Sequence, residues 1–270
     1  MAIVNRTPDS FYDKGRTYAL GSALERVDQV VAEGARIIDI GGVRAAPGEE
    51  VPADEEARRV LDLVGRTREA YPDVVVSIDT YRAEVGDLAC RAGADLINDA
   101  WGGWEPALAE VAARHGAGLV CTHAGHVRPR TRPHRVRYGD VVGDVVSTLV
   151  GLAERAVAVG VRPDRVLIDP GHDFGKNSRH SLELTRRLDE LVATGWPVLV
   201  ALSRKDFVGE ALDLLPDDRL EGTLAATAIS AWLGARVFRA HDVTATLRVV
   251  RMVAAIAGTA DLALGRRGLA

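Results

Sequence analysis

Short apolar runs recur along the chain, and nearly every one stops at a polar residue. They are MAIVN (1–5), RIIDIGG (36–42), VVVSIDT (74–80), DLINDA (95–100), GLVCTH (118–123), VLIDPG (166–171), PVLVALS (197–203) and RVFRAH (236–241). Between them lie longer stretches whose apolar residues fall three and four apart. Examples are ALERVDQVVAEGA (23–35), PADEEARRVLDLVGRTREA (52–70), PALAEVAARHGA (106–117), VVSTLVGLAERAVAVG (145–160) and TLAATAISAWLGA (223–235). Runs that are apolar throughout predict parallel strands covered by other layers, and the spaced pattern predicts amphipathic helices. Eight such units in 270 residues predict an α/β fold, a single-domain (β/α)8 TIM barrel, for which about 250 residues is usual. The alternative is an open doubly wound sheet. The barrel is expected over 1–260, with 261–270 a frayed C-terminal tail.

The polar residues at the ends of these runs say where a site would be. They are Asn5, Asp39, Asp79, Asn98, His123, Asp169, Ser203 and His241. Any one of them has a plain explanation as a turn former or helix cap. All of them in register are harder to dismiss, because the C-terminal ends of barrel strands open on one face, where active sites lie. Asp79, Asn98 and Asp169 suit the edge of a planar heterocycle, since carboxylates and carboxamides pair in-plane with ring N–H and amino groups. SRKDF (203–207) adds Ser203, Arg204 and Lys205 just after a strand. Arg239 and His241, two apart on one side of a strand, would with Asn5 suit a phosphate or pyrophosphate, with or without Mg²⁺.

Composition narrows the class further. The net charge is −4 and the pI about 6.0, which offers no basic field for nucleic acid. No apolar run approaches the roughly 20 residues of a membrane span, and the N-terminus lacks a signal pattern. Cys90 and Cys121 sit in apolar runs and read as buried small hydrophobes in a reducing compartment, so a cytoplasmic protein is expected. The stretch 123–140 carries Arg128, Arg130, Arg132, Arg135 and Arg137, read as a solvated surface loop, with an extra anion site as the sharper alternative. His123 and His126 form an H-x-x-H pair, but with no Cys or acidic third ligand nearby a structural zinc site is not expected.

These motifs resemble, in order and over nearly the whole chain, the dihydropteroate synthase family. NRTPDSFYDKG (5–15) is similar to its first signature, and DIGG (39–42) with PG (47–48) to its second. SIDTYRAEV (77–85), GADLINDAWGG (93–103), IDPGHDFGK (168–176), LSRKDFVG (202–209), RLEGTLA (219–225) and RAHDV (239–243) follow. The resemblance implies a (β/α)8 barrel that condenses 6-hydroxymethyl-7,8-dihydropterin pyrophosphate with para-aminobenzoate, pyrophosphate leaving first. It implies pterin ligands at Asp79, Asn98, Asp169 and Lys205, with Phe174 against the ring. Pyrophosphate is expected at Asn5, which also takes Mg²⁺, and at Arg239 and His241, with Lys205, Arg239 and His241 carrying the chemistry. Ser203, Arg204 and Pro47 would border the aminobenzoate or a sulfa-type analogue. It also implies a homodimer through the last helices, with which TLAATAISAWLGA is compatible. A short segment ahead of the first strand, helping to close the barrel floor, is usual in the family; here Met1 stands at that strand's start.

One loop departs from the pattern. The family's second loop usually reads DIGGESTRPG, and here it is DIGGVRAAPG. Val43, Arg44, Ala45 and Ala46 replace groups that order the loop and help hold pyrophosphate and aminobenzoate. Arg6, in the first loop, and His172 with Asp173, in the sixth, are further departures, and Arg6 or Arg44 could in principle replace the missing loop arginine. The expectation is a divergent second paralogue that keeps the pterin side and makes dihydropteroate poorly or not at all. A fully active synthase, a corrinoid-type pterin methyltransferase, and a pterin-binding regulatory protein without chemistry are the alternatives. The TPDSF loop, the RAHD pair and the lack of a cobalamin domain weigh against the methyltransferase.

Overall fold

Alternation along strand β2 (Ile37–Gly41) shows how the sequence sorts itself into layers. Ile38 and Ile40 are fully buried and join the large core cluster with Val60, Leu63 and Val64 of helix α2 (Ala53–Ala70). The intervening residues, Ile37, Asp39 and Gly41, turn to the other side of the strand. In the computed structural model, which describes all residues except 8–14, 16, 45–47, 126, 132–135, 265, 266 and 268–270, this division holds for the other strands as well.

The remaining strands are β1 (Ala2–Asn5), β3 (Val75–Asp79), β4 (Leu96–Asp99), β5 (Gly118–Thr122), β6 (Val166–Asp169), β7 (Leu199–Val200) and β8 (Val237–Phe238). Helices α1 (Leu20–Ala32), α3 (Ala83–Arg91), α4 (Ala107–His115) and α5 (Val141–Ala158) follow β1, β3, β4 and β5. Later in the chain come α6 (Ser178–Arg186), α7 (Leu188–Val192), α8 (Asp206–Leu212), α9 (Leu220–Trp232) and α10 (Val243–Ile256). β1 to β6 form one parallel sheet in chain order, and β7 pairs with β8, also parallel. Single parallel bridges join these two sheets, Ile168 to Val198 and Ala2 to Ala240. The Ile168 N–H donates to the Pro197 carbonyl at 3.0 Å, and the Ala240 N–H to that of Met1 at 3.0 Å. The eight strands thus follow one another around a ring, as the alternating pattern predicts.

The last two strands are shorter than their apolar runs. Regular pairing covers only 199–200 and 237–238, against runs of 197–203 and 236–241. Pro197 has no N–H for the ladder, and by Arg204 the backbone has turned left-handed at φ 55°. Inside the ring a small apolar cluster of Leu96, Val120, Leu199 and Ala201 is packed by Ile37, Leu167 and Val237. Polar residues lie above it, so the barrel is filled with hydrocarbon at one end and with charge at the other.

Candidate functional site

The register of the first four strands places Asn5 beside Gly41, Gly41 beside Asp79, and Asp79 beside Asn98. Gly41 leaves room between them: a Cβ there would come 3.3 Å from Asn5 Oδ1 and 3.6 Å from Asp79 Cβ. One layer deeper lies Asp39, with no exposure at all. Its carboxylate accepts from Ser77 Oγ at 2.6 Å, from Asn98 Nδ2 at 3.2 Å and from Arg239 Nε at 2.6 Å. Arg239 Nη2 continues to Asp79 Oδ2 at 2.8 Å. Burial pushes the Asp79 carboxyl up to about 7, against the pull of Arg239, and the neighbouring charge of Asp39 adds to the rise.

The far wall is built by the loop after β6. Gly171 and Gly175 are left-handed, and a side chain at either would strike the carbonyl of His123 or Ala124, so the fifth and sixth loops pack backbone to backbone. Lys176 fastens them: its buried Nζ donates to the carbonyls of His123 at 3.0 Å, Gly171 at 3.0 Å and Phe174 at 2.9 Å, and meets His123 Nδ1 at 2.7 Å. Burial lowers this ammonium to about 7. Asp169 Oδ1 accepts the Gly171 N–H at 2.7 Å, and its carboxyl is raised by burial while the nearby Lys205 opposes the rise. Lys205 donates to the His172 carbonyl, and its Nζ stands 4.9 Å from the centroid of Phe174, with Trp101 edge-on beyond at 5.5 Å. Burial likewise depresses Lys205.

His241 lies past the end of β8. Its Nδ1 meets Ser203 Oγ at 3.0 Å, and burial, helped by Arg239, lowers the ring to about 3. The imidazole is therefore neutral at pH 7 and acts on a ligand as a hydrogen-bonding group, not as a second cation. The structure thus brings together Asn5, Asp79, Asn98, Asp169, Phe174, Ser203, Lys205, Arg239 and His241 around the C-terminal ends of the strands. Arg204, expected beside an aminobenzoate, is bonded within the protein. Its left-handed backbone sends the guanidinium to Asp242 at 2.9 Å and to the carbonyls of Pro216 at 2.9 Å and Asp217 at 2.7 Å. Pro47, Ala45 and Ala46, with most of the TPDSF loop, lie outside the described residues.

At the rim, arginines bind backbone carbonyls, and Arg59 and Arg82 also pair with the carboxylates of Glu55 and Glu56. Arg6 donates to the carbonyls of Tyr18 at 2.7 Å and Arg59 at 2.7 Å, so it is tied to α2 and to the segment just before α1 and does not stand in for a missing loop arginine. Arg59 reaches the Gly42 carbonyl at 3.0 Å, and Arg82 that of Val51 at 2.6 Å. Arg130, in the fifth loop, donates to the carbonyls of Arg44 at 2.6 Å and Glu49 at 2.7 Å. That arginine is neither simply solvated nor open to an anion; Arg132, Arg135 and His126 lie outside the described residues. His123 has both ring nitrogens engaged, by Lys176 and by Asp144 at 2.8 Å. His172 is buried against Phe207, and Asp173 accepts from Ser181 and from the Phe207 N–H, so both departures in the sixth loop serve packing.

Three residues act here in ways that sequence reasoning did not foresee. Asp39 was visible as an acid within an apolar run, and its two-residue offset from Gly41 marks it as inward-facing. Lys176 closes the GHDFGK motif, but nothing local shows that it is buried. Arg130 contacts a loop more than 80 residues away, for which no sequence signal exists.

The comparisons with known proteins agree with this geometry. The profile of the pterin-binding enzyme family matches residues 1–241. A protein of Mycobacterium leprae named inactive dihydropteroate synthase 2 is 58% identical over the whole of this chain and 94% of its own length. The dihydropteroate synthase of Bacillus subtilis is 40% identical over 95% of this chain and 87% of its own. The crystal structure of Yersinia pestis dihydropteroate synthase with a sulfonamide drug superimposes with a TM-score of 0.91 at 37% identity, covering 96% of this chain and 94% of that one. The chain belongs to the pterin-binding enzymes, as a dihydropteroate synthase-like barrel.

Proposed function

We propose that this protein binds 6-hydroxymethyl-7,8-dihydropterin pyrophosphate in the barrel mouth, and that its condensation with para-aminobenzoate is weak or lost. One observation carries this: the groups for the pterin stand together at the strand ends, Asn98 and Asp79 tied through Asp39 and Arg239, whereas residues 43–46 of the second loop offer Val43, Arg44, Ala45 and Ala46 where the family has polar groups. Asp79, Asn98 and Asp169 supply acceptors to the donor-rich edge of the ring, and Lys205 supplies a cation beside Phe174. Arg239, with His241 as a neutral partner, would meet the pyrophosphate and stabilise its growing charge as it leaves. Asn5 Oδ1 borders the space over Gly41 and offers a hard oxygen of the kind Mg²⁺ takes alongside phosphate oxygens. Mg²⁺ bound there would neutralise charge on the leaving group.

The M. leprae relative's name supports the loss of turnover. Losing one charge-assisted hydrogen bond costs about 1.5–3 kcal/mol, roughly ten- to hundred-fold in rate. Para-aminobenzoate or a sulfa-type analogue is then a weak second ligand. Exposed Ile229 and Trp232 of α9 with Met252 and Ile256 of α10 form an apolar patch suited to a second copy of the chain, so a homodimer is proposed too. No described helix is long and apolar enough to cross a membrane, and Cys90 and Cys121 are free thiols, in keeping with a cytoplasmic protein. Calorimetric titration with the pterin pyrophosphate and Mg²⁺ tests the binding: saturable heat at one site per chain is expected, and no heat would refute it.

A further inference from the structure

No ligand can reach Asp39, whose exposure is nil, yet three side chains from three separate strands, Ser77, Asn98 and Arg239, bond to it. Filling the barrel at this level does not require a charge; the layer beneath uses Leu96, Val120 and Leu199. A buried carboxylate is costly unless paired, and this one is paired three times. What it adds is orientation. With Nε on Asp39 and Nη2 on Asp79, the Arg239 guanidinium is fixed across β2 and β3, and its Nη1 has no partner among the described residues. With Nδ2 turned to Asp39, the Asn98 amide keeps its Oδ1 unbonded among the described residues, presented as an acceptor.

We propose that Asp39 is a positioning residue of this site: its carboxylate holds Arg239 beside Asp79 and sets the Asn98 amide, so that one donor for an anion and one acceptor for a heterocycle are preset before either binds. This rests on the pterin pyrophosphate reading of the mouth, but its first test does not. In the ligand-free protein, the Nε–H of Arg239, assigned by its loss in R239K, should be a slowly exchanging nitrogen-15 NMR signal. In D39N it should exchange about tenfold faster or more, the size of one lost charge-assisted hydrogen bond. The second test is affinity, measured separately for inorganic pyrophosphate and for hydroxymethyl-dihydropterin lacking the pyrophosphate. D39N should weaken both about tenfold. A folded D39N with unchanged Arg239 exchange and unchanged affinities overturns the proposal. If D39N does not fold, the wild-type signal decides: a rapidly exchanging Arg239 Nε–H there also overturns it. A wild-type protein that keeps the protected Nε–H but binds no pterin pyrophosphate refutes the ligand assignment and leaves the hold of Asp39 on Arg239 standing.

Discussion

The two sides of the barrel mouth are held together by different kinds of bond. On the pterin side, side chains from several strand ends bond to one another: Asp39 to Ser77, Asn98 and Arg239, and Arg239 to Asp79. On the side of the second loop, Arg59, Arg82 and Arg130 bond to the backbone carbonyls of Gly42, Val51, Arg44 and Glu49, reaching the loop from outside. A network of side chains presets chemistry, because each member fixes the next one's free valence. Arginines on carbonyls fix only a path for the chain. The guanidinium groups of Arg59, Arg82 and Arg130 are therefore engaged by the protein itself and are not a reservoir of anion-binding groups.

This contrast can be broken from either side. The largest effect is expected at Lys176, whose ammonium satisfies three buried carbonyls: K176M should lower unfolding stability by about 2–4 kcal/mol in a denaturant titration, since each unpaired buried group carries a penalty. A loss below about 1 kcal/mol would mean that the fifth and sixth loops are held by packing alone. Next comes Asp79. D79N should weaken pterin pyrophosphate binding about ten- to hundred-fold by calorimetry. Because the wild-type carboxyl titrates near 7, wild-type affinity should fall as pH drops below 7, when protonation removes an acceptor, and level off above it. A pH-independent affinity from 5.5 to 8.5 would exclude an ionised Asp79 from the contact.

On the other side, the variant V43E/R44S/A45T/A46R restores the family's polar loop. It should raise dihydropteroate formation about tenfold or more while leaving pterin affinity nearly unchanged. A rise in affinity without turnover would place the defect elsewhere. The smallest effect is expected for R130A, which removes an external clasp on Arg44 and Glu49. Amide exchange should quicken around residues 48–49, with global stability changed by less than about 1 kcal/mol. Unchanged exchange there would show that the loop holds itself.

Much of the pterin side was legible in the sequence because strand periodicity and barrel topology do the placing. An apolar run ending in Asp79 or Asp169 puts that acid at the mouth whatever the loops do. Asp39 was hidden by its resemblance to a turn former, although it sits two residues inside the strand end rather than on it. Arg204 was given to the aminobenzoate side by the resemblance alone, and its bonds to Asp242 and to the carbonyls of Pro216 and Asp217 have no signal in the sequence. The role of Arg130 was not legible at all, since contacts between loops depend on the tertiary path and leave no periodic trace.

The central claim is that this barrel keeps one substrate and has given up joining it to the other. The most direct measurement is product formation from pterin pyrophosphate, Mg²⁺ and para-aminobenzoate, run in one assay on the wild-type chain, its loop-restored variant and a conventional synthase. Saturated pterin binding is expected with wild-type turnover about a hundredfold or more below the conventional enzyme and partial recovery in the variant. Wild-type turnover comparable to the conventional synthase would contradict the account, because it would show that the polar groups missing from 43–46 are not needed.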